Sequence, residues 1–191
     1  MDLRSTSEPP PWAWVVESTQ PEPQQWRQAA KRAIDVALAV LLLLVLAPLM
    51  VLVAILVRLD SPGPVIYAQE RIGRGLRPFR MYKFRSMVEN ASSLQEEILH
   101  LNEVEPPLFK VRRDPRVTRV GRPLRRTSID ELPQLLNVVK GDMSLVGPRP
   151  PLAGEVEVDP DRQASRLRRR PGLTGAWQVQ GRSGLGYEEM I

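Results

Sequence analysis

The chain has 191 residues, no cysteine and a single histidine, His100. That excludes a disulfide framework, a thiol nucleophile, and any thiolate or multi-histidine metal site. Lys and Arg outnumber Asp and Glu by 27 to 22, and with lysine only at Lys31, Lys83, Lys110 and Lys140 the excess is nearly all arginine, whose planar fork suits phosphate and carboxylate.

Residues 1–25, "MDLRSTSEPPPWAWVVESTQPEPQQ", are rich in Pro, Ser, Glu and Gln and lack the basic start and small-residue cleavage site of a secretory signal. They read as a disordered arm. Residues 26–59 follow as a membrane helix around the uncharged run Val36 to Val57, which at about 1.5 Å per residue is roughly 33 Å long, close to the ~30 Å hydrocarbon thickness. Pro48 stands near its middle. Arg27, Lys31 and Arg32 precede the run, and Arg58, Arg71, Arg74, Arg77 and Arg80 follow it. Positive charge on both flanks does not suit a simple span, which collects basic residues on one side. A helix broken at Pro48 would instead enter the bilayer and return, each limb going in roughly 16 Å. Composition alone leaves this re-entrant form and a kinked span equally open.

Beyond the turn signal "RLDSPGP", the segments "VIYAQERIG" and "FRMYKFRSM" around "RGLRP" predict a basic β-hairpin. "SSLQEEILHLNEVE" predicts an amphipathic helix, with Leu94, Ile98 and Leu101 at helical spacing and Ser93 and Glu96 placed for a capping box. His100 falls there in a polar, solvated setting. "SIDELPQLLNVVKG" predicts a second helix, with Asp130 as N-cap and Pro133 in the first turn, where a missing amide hydrogen is harmless. The remainder is punctuated by Gly and Pro.

The residue types that do chemistry gather at "RRTSIDELPQ". Asp130 and Glu131 would lie at the positive end of a helix, where their charged forms are favoured. Ser128 and Glu131 also match a capping box, so the pair fits a structural role as well as a catalytic one. "RRDPRVTRVGRPLRR" upstream and Arg149 in "GPRP" downstream add a ring of arginines around the acids. In that setting one carboxylate can attack phosphorus while its neighbour holds Mg²⁺ against phosphate oxygens. Walker A, HExxH and GxSxG motifs are absent from the sequence.

From "KRAID" to "GYEEM", through "DSPGPVIYAQERIG", "FRMYKFRSM", "DPRVTRVGRPLRRTSIDELPQLLNVVKGDMSLVGPRPP" and "RPGLTGAWQVQGRS", the sequence resembles the bacterial sugar transferase family. These are monotopic polyprenyl-phosphate hexose-1-phosphate transferases. The resemblance implies transfer of a sugar-1-phosphate from a UDP-sugar to undecaprenyl phosphate, with release of UMP, as the first membrane step of exopolysaccharide or O-antigen type assembly. It implies Asp130 as the nucleophile, Glu131 as the Mg²⁺ ligand, and Arg125 and Arg149 as holders of substrate phosphate. It also implies a re-entrant helix that keeps the catalytic domain, residues 60–191, on the cytoplasmic face of the bacterial inner membrane.

The expected fold is mostly α with a small β-hairpin, an α+β arrangement. Arg116, Arg119, Arg122 and Arg126 fall in the phosphate-handling block. "RLRRR" at 166–170 fits a solvated face or a contact to anionic lipid, and Trp177 and Gln178 are expected to pack within the fold. Relatives often carry Ser where Ala47 precedes the proline, carry an acid where Gly184 stands, and continue past the position of Ile191. The alternative expectation is an inactive truncated remnant or a scaffold for polysaccharide assembly. Little aromatic interleaving accompanies the basic residues, so no nucleic-acid partner is expected; homo-oligomerisation and the identity of the sugar stay open.

Overall fold

The computed structural model describes residues 25–103, 109, 111, 113–158 and 166–175. Most of the expected arm, together with Trp177, Gln178 and Gly184, lies outside them. Helix α1, Gln25–Asp60, contains Pro48 and is assigned as one element. Its most apolar 18-residue window has a mean hydropathy of 3.3 and is only 11% buried, so most of its surface is not used for packing within the protein.

What is buried forms one stripe at three- and four-residue steps: Asp35, Ala39, Val53 and Val57, with Leu43, Leu49 and Met50 partly covered. Both limbs, before and after Pro48, therefore sit on the same body. Ala39 and Leu43 pack with Met81, Leu135, Val138 and Met143. Val53 and Val57 pack with Phe84 and Leu124, with Ile129 and Leu132 alongside.

Polar bonds fix each end. Asp35 Oδ2 accepts from Lys31 Nζ at 2.9 Å and from Ser144 Oγ at 2.7 Å, and Arg32 donates to the carbonyls of Val138 and Val139 at 2.6 and 3.0 Å. At the other end, buried Arg85 donates to the carbonyls of Val57, Ser61 and Pro62, using a cation to satisfy the helix C-terminus. Asp60 Oδ2 accepts the Val120 N–H at 3.1 Å.

The predicted hairpin is present as β1, Ile66–Ile72, and β2, Pro78–Phe84, antiparallel from Ile66 opposite Phe84 to Ile72 opposite Pro78. Between them Gly75 and Leu76 take positive φ. The two-residue period puts Gln69 and Arg71 on the same face as Met81 and Lys83. Helix α2, Gly121–Thr127, leads into a 3₁₀ turn, Ile129–Glu131, and then α3, Gln134–Lys140. Strand β3, Ser144–Val146, pairs in parallel with β4, Gly172–Thr174, and α4, Ala153–Val158, lies between them in sequence.

The structure corrects three local expectations. "SSLQEEILHLNEVE" holds a 3₁₀ helix, Glu96–Leu101, rather than an α-helix. Among its described residues only Ile98 is buried, and Ser93 Oγ donates back to Asn90 O instead of capping. Asp130 is not the N-cap of the following helix; Pro133 takes that place, and the acids lie one turn earlier. The 166–170 run is not a wholly solvated face, since Arg166 and Leu167 are buried and Arg170 Nε donates to Gly141 O at 3.0 Å. His100 is exposed as expected.

Candidate active site

Gly121 brings the start of α2 against Ser86, so closely that a Cβ at this position would stand 2.0 Å from the Ser86 carbonyl oxygen. Thr118 Oγ1 accepts the Gly121 N–H at 2.9 Å. The helix stops at Ser128, which adopts φ 59°, ψ 18°, a left-handed conformation costly for a residue with a Cβ. That reversal swings the chain into the Ile129–Glu131 turn. Ser128 makes no side-chain cap bond; its carbonyl accepts the Glu131 N–H at 3.1 Å. The capping-box reading of Ser128 and Glu131 therefore fails. Ile129 and Leu132, packed beside the C-terminal limb of α1, hold the turn in place.

Asp130 is 7% exposed. Burial pushes its pKa up to about 6, with Glu131 adding to the rise, while Lys83 and Arg125 pull in the opposite direction. Glu131 Oε1 accepts from Lys83 Nζ at 2.9 Å. Beside them a pocket is lined by Arg71, Lys83, Glu131, Gln134, Arg149 and Leu173. Arg149 is held by a bidentate pair with Glu155, at 2.9 and 3.1 Å. Glu155 is 2% exposed and also accepts the Leu152 N–H at 3.1 Å, so the guanidinium is fixed rather than mobile.

Glu131 and Arg149 thus line one pocket, and Asp130 is buried next to Glu131 and within reach of the Lys83 charge. Arg125 is exposed and acts on Asp130 and Asp114 through its charge. Arg119, Arg122 and Arg126 are exposed as well. Arg116 does not belong to a phosphate-handling set: it is buried, with Nε and Nη2 donating to Asp114 at 3.0 and 2.8 Å and Nη1 to Ala91 O at 2.9 Å. Sequence reasoning passed over Arg71, Lys83 and Glu155. The two-residue period of the hairpin gives Arg71 and Lys83 one face, but nothing local says that this face meets Arg149; Glu155 carried no comparable signal.

Two adjacent carboxylates fit Mg²⁺, which commonly takes one or two protein carboxylates and completes its shell with water and substrate phosphate. Among the described residues no group of three acidic, histidine or cysteine side chains forms a self-sufficient cage.

Residues 26–191 match the sequence profile described as bacterial sugar transferase. The chain is 44% identical over 163 residues to a galactosyl transferase CpsE of Streptococcus agalactiae, covering 85% of this chain and 36% of that protein. It is 43% identical over 166 residues to the exopolysaccharide production protein ExoY of Sinorhizobium fredii, covering 85% and 74%. A UDP-glucose:undecaprenyl-phosphate glucose-1-phosphate transferase of Caulobacter vibrioides is 47% identical over 158 residues, covering 81% and 55%. The chain spans about a third of the length of the Streptococcus protein. With the profile matched from the start of α1 onward, the chain belongs to the bacterial sugar transferase family.

Proposed function

We propose that the chain transfers a sugar-1-phosphate from a UDP-sugar to undecaprenyl phosphate at the cytoplasmic face of the bacterial inner membrane. The observation that carries this reading is the Asp130–Glu131 turn: a buried carboxylate beside a pocket lined by fixed cations and seated on the apolar helix. One substrate is soluble and the other is a lipid, so a site packed against the membrane element can meet both.

An Asp130 carboxylate oxygen attacks the phosphorus that bears the sugar, and the bond from that phosphorus to UMP breaks. An oxygen of the acceptor phosphate then attacks the same phosphorus, breaking the aspartyl–phosphorus bond and restoring the carboxylate. Lys83 favours the ionised nucleophile, opposing burial, and Arg149 faces the transferring group with a guanidinium already in position. Glu131 would hold Mg²⁺, which when bound neutralises charge on the diphosphate.

The re-entrant course of α1 belongs to the same reading. A straight span would put its two ends on opposite sides of the bilayer, yet Arg32 and Asp35 at one end and Asp60 at the other bond to the same polar body. Drawing that body into hydrocarbon would be prohibitive. Cysteines at positions 28 and 75 should both label from the cytoplasm, and labelling from opposite sides would establish a span.

The activity test incubates the membrane-embedded protein with labelled UDP-sugars, Mg²⁺ and undecaprenyl phosphate, wild type beside Asp130→Asn. UMP and a lipid-linked sugar phosphate should form with the wild type only. Full turnover by the variant would remove Asp130 from the reaction.

A further inference from the structure

The pocket holds a second guanidinium, and its bonding differs from that of Arg149. Arg149 has a carboxylate of its own, Glu155, across two short bonds. Among the described residues Arg71 bonds only to neutral oxygens: Nε and Nη2 donate to Gln69 Oε1 at 3.3 and 2.9 Å, and Nη1 donates to Pro150 O at 3.1 Å. Those bonds use three of the five N–H donors of a guanidinium, so two remain for a ligand.

The placement is built, not incidental. The Ile72 N–H donates to Pro151 O at 3.0 Å, so with the Arg71–Pro150 bond the end of β1 is tied to the chain just after Arg149. Gln69, Met81 and Lys83 share the hairpin face of Arg71, and Arg71, Lys83 and Arg149 line one pocket. Burial and the adjacent Arg149 pull the Arg71 pKa down to about 10, the effect of a cation lacking enough negative charge around it. It remains charged at neutral pH.

We infer that Arg71 is a further substrate-binding residue, gripping a phosphoryl group jointly with Arg149. This rests on the transferase reading above and adds to it the second arm of the phosphate clamp. The chemistry fits: a planar fork with free donors takes phosphate oxygens in pairs, and a doubly charged group would supply the negative charge that Glu155 alone does not. The group is either the diphosphate of the nucleotide sugar or the phosphate head of the lipid acceptor.

Arg71→Gln and Arg71→Lys separate these sources in steady-state kinetics with the full chain in lipid nanodiscs. Losing a charge-assisted grip should raise one KM by about 10–100-fold, the UDP-sugar KM if Arg71 holds the donor and the undecaprenyl phosphate KM if it holds the acceptor. Arg71→Lys, which keeps the charge but not the fork, should recover part of the loss. Thermal unfolding of each variant, with and without UDP and with and without pyrophosphate, shows whether the fold survives and whether anion binding has changed. Both KM values within twofold of wild type, with undiminished stabilisation by UDP and pyrophosphate, would overturn the assignment. So would a rise in both KM values that merely tracks a drop in thermal stability, for Arg71 would then only staple the Pro150 loop. If the wild type turns over no UDP-sugar at all, the transferase reading fails by itself, and pyrophosphate stabilisation of wild type against Arg71→Gln still decides whether Arg71 binds phosphate.

Discussion

Ionising Asp130 is harder in the folded chain than in the unfolded one, because burial strips water from the carboxylate and Glu131 lies next to it, and Lys83 only partly offsets this. A rise from 3.8 to about 6 corresponds to ~3 kcal/mol, at about 1.4 kcal/mol per pH unit. Below pH 3.8 both states are protonated and the penalty is absent. Between there and about pH 6 only the unfolded chain ionises, and wild-type stability falls; above about pH 6 both are ionised and the full penalty persists. Asp130→Asn has no charge to lose. Its stability relative to wild type should therefore grow by ~3 kcal/mol between about pH 4 and about pH 7, while transfer disappears. Urea unfolding of the two proteins in one detergent, followed by circular dichroism across that range, measures the difference, and the groups common to both cancel. A difference that stays flat with pH, or that favours the wild type at neutral pH, would refute the reasoning.

The same carboxylate should set the acid limb of the reaction: kcat/KM for the UDP-sugar rises through about pH 6 and levels off above it, and Lys83→Met moves the inflection upward in initial-rate profiles. Asn137, fully buried, accepts the Tyr82 N–H at 3.0 Å and donates to Arg80 O at 2.7 Å. Asn137→Ala should thus cost ~2–4 kcal/mol in denaturant unfolding by stranding backbone groups of β2. A Cβ at Gly172 would stand 2.1 Å from Gly147 N, so Gly172→Ala should lower thermal stability by ~1–3 kcal/mol and weaken UDP binding at the adjoining pocket. At Ser128, glycine should be neutral or stabilising and valine destabilising by ~1–2 kcal/mol, read from unfolding curves.

Local chemistry made the hairpin readable, because its β-branched and aromatic residues and the Gly-containing turn act over neighbouring positions. It made the apolar helix readable too. The Glu96–Leu101 segment misled because its spacing was helical while only Ile98 found a core to face, and a short helix without a buried face is marginal in water. Helix α2 was hidden by the Gly, Pro and paired arginines of "GRPLRRT". The β3–β4 pair joins Ser144 to Gly172, a contact that neither segment announces. The candidate site divides in the same way: Asp130, Glu131 and Arg149 stand in recognisable local patterns. Arg71 and Glu155 become members only when the end of β1 is tied to the chain after Arg149, and Arg116 drops out only when Asp114 claims it.

The anchoring of α1 also constrains how the chain is made. Asp35 finds its partner in Ser144, 109 residues further on. At about 5–20 residues per second of synthesis, that partner follows by ~5–20 s. Through that interval the partners that cover one stripe of the apolar limbs in the folded chain are not yet made, and on the membrane reading proposed above the bilayer receives the helix before the domain that later seats on it exists. On that reading insertion precedes folding, and Lys31, Arg32 and Asp35 stand ready to bond α3 and β3, at Val138, Val139, Ser144 and Leu145, once these are made.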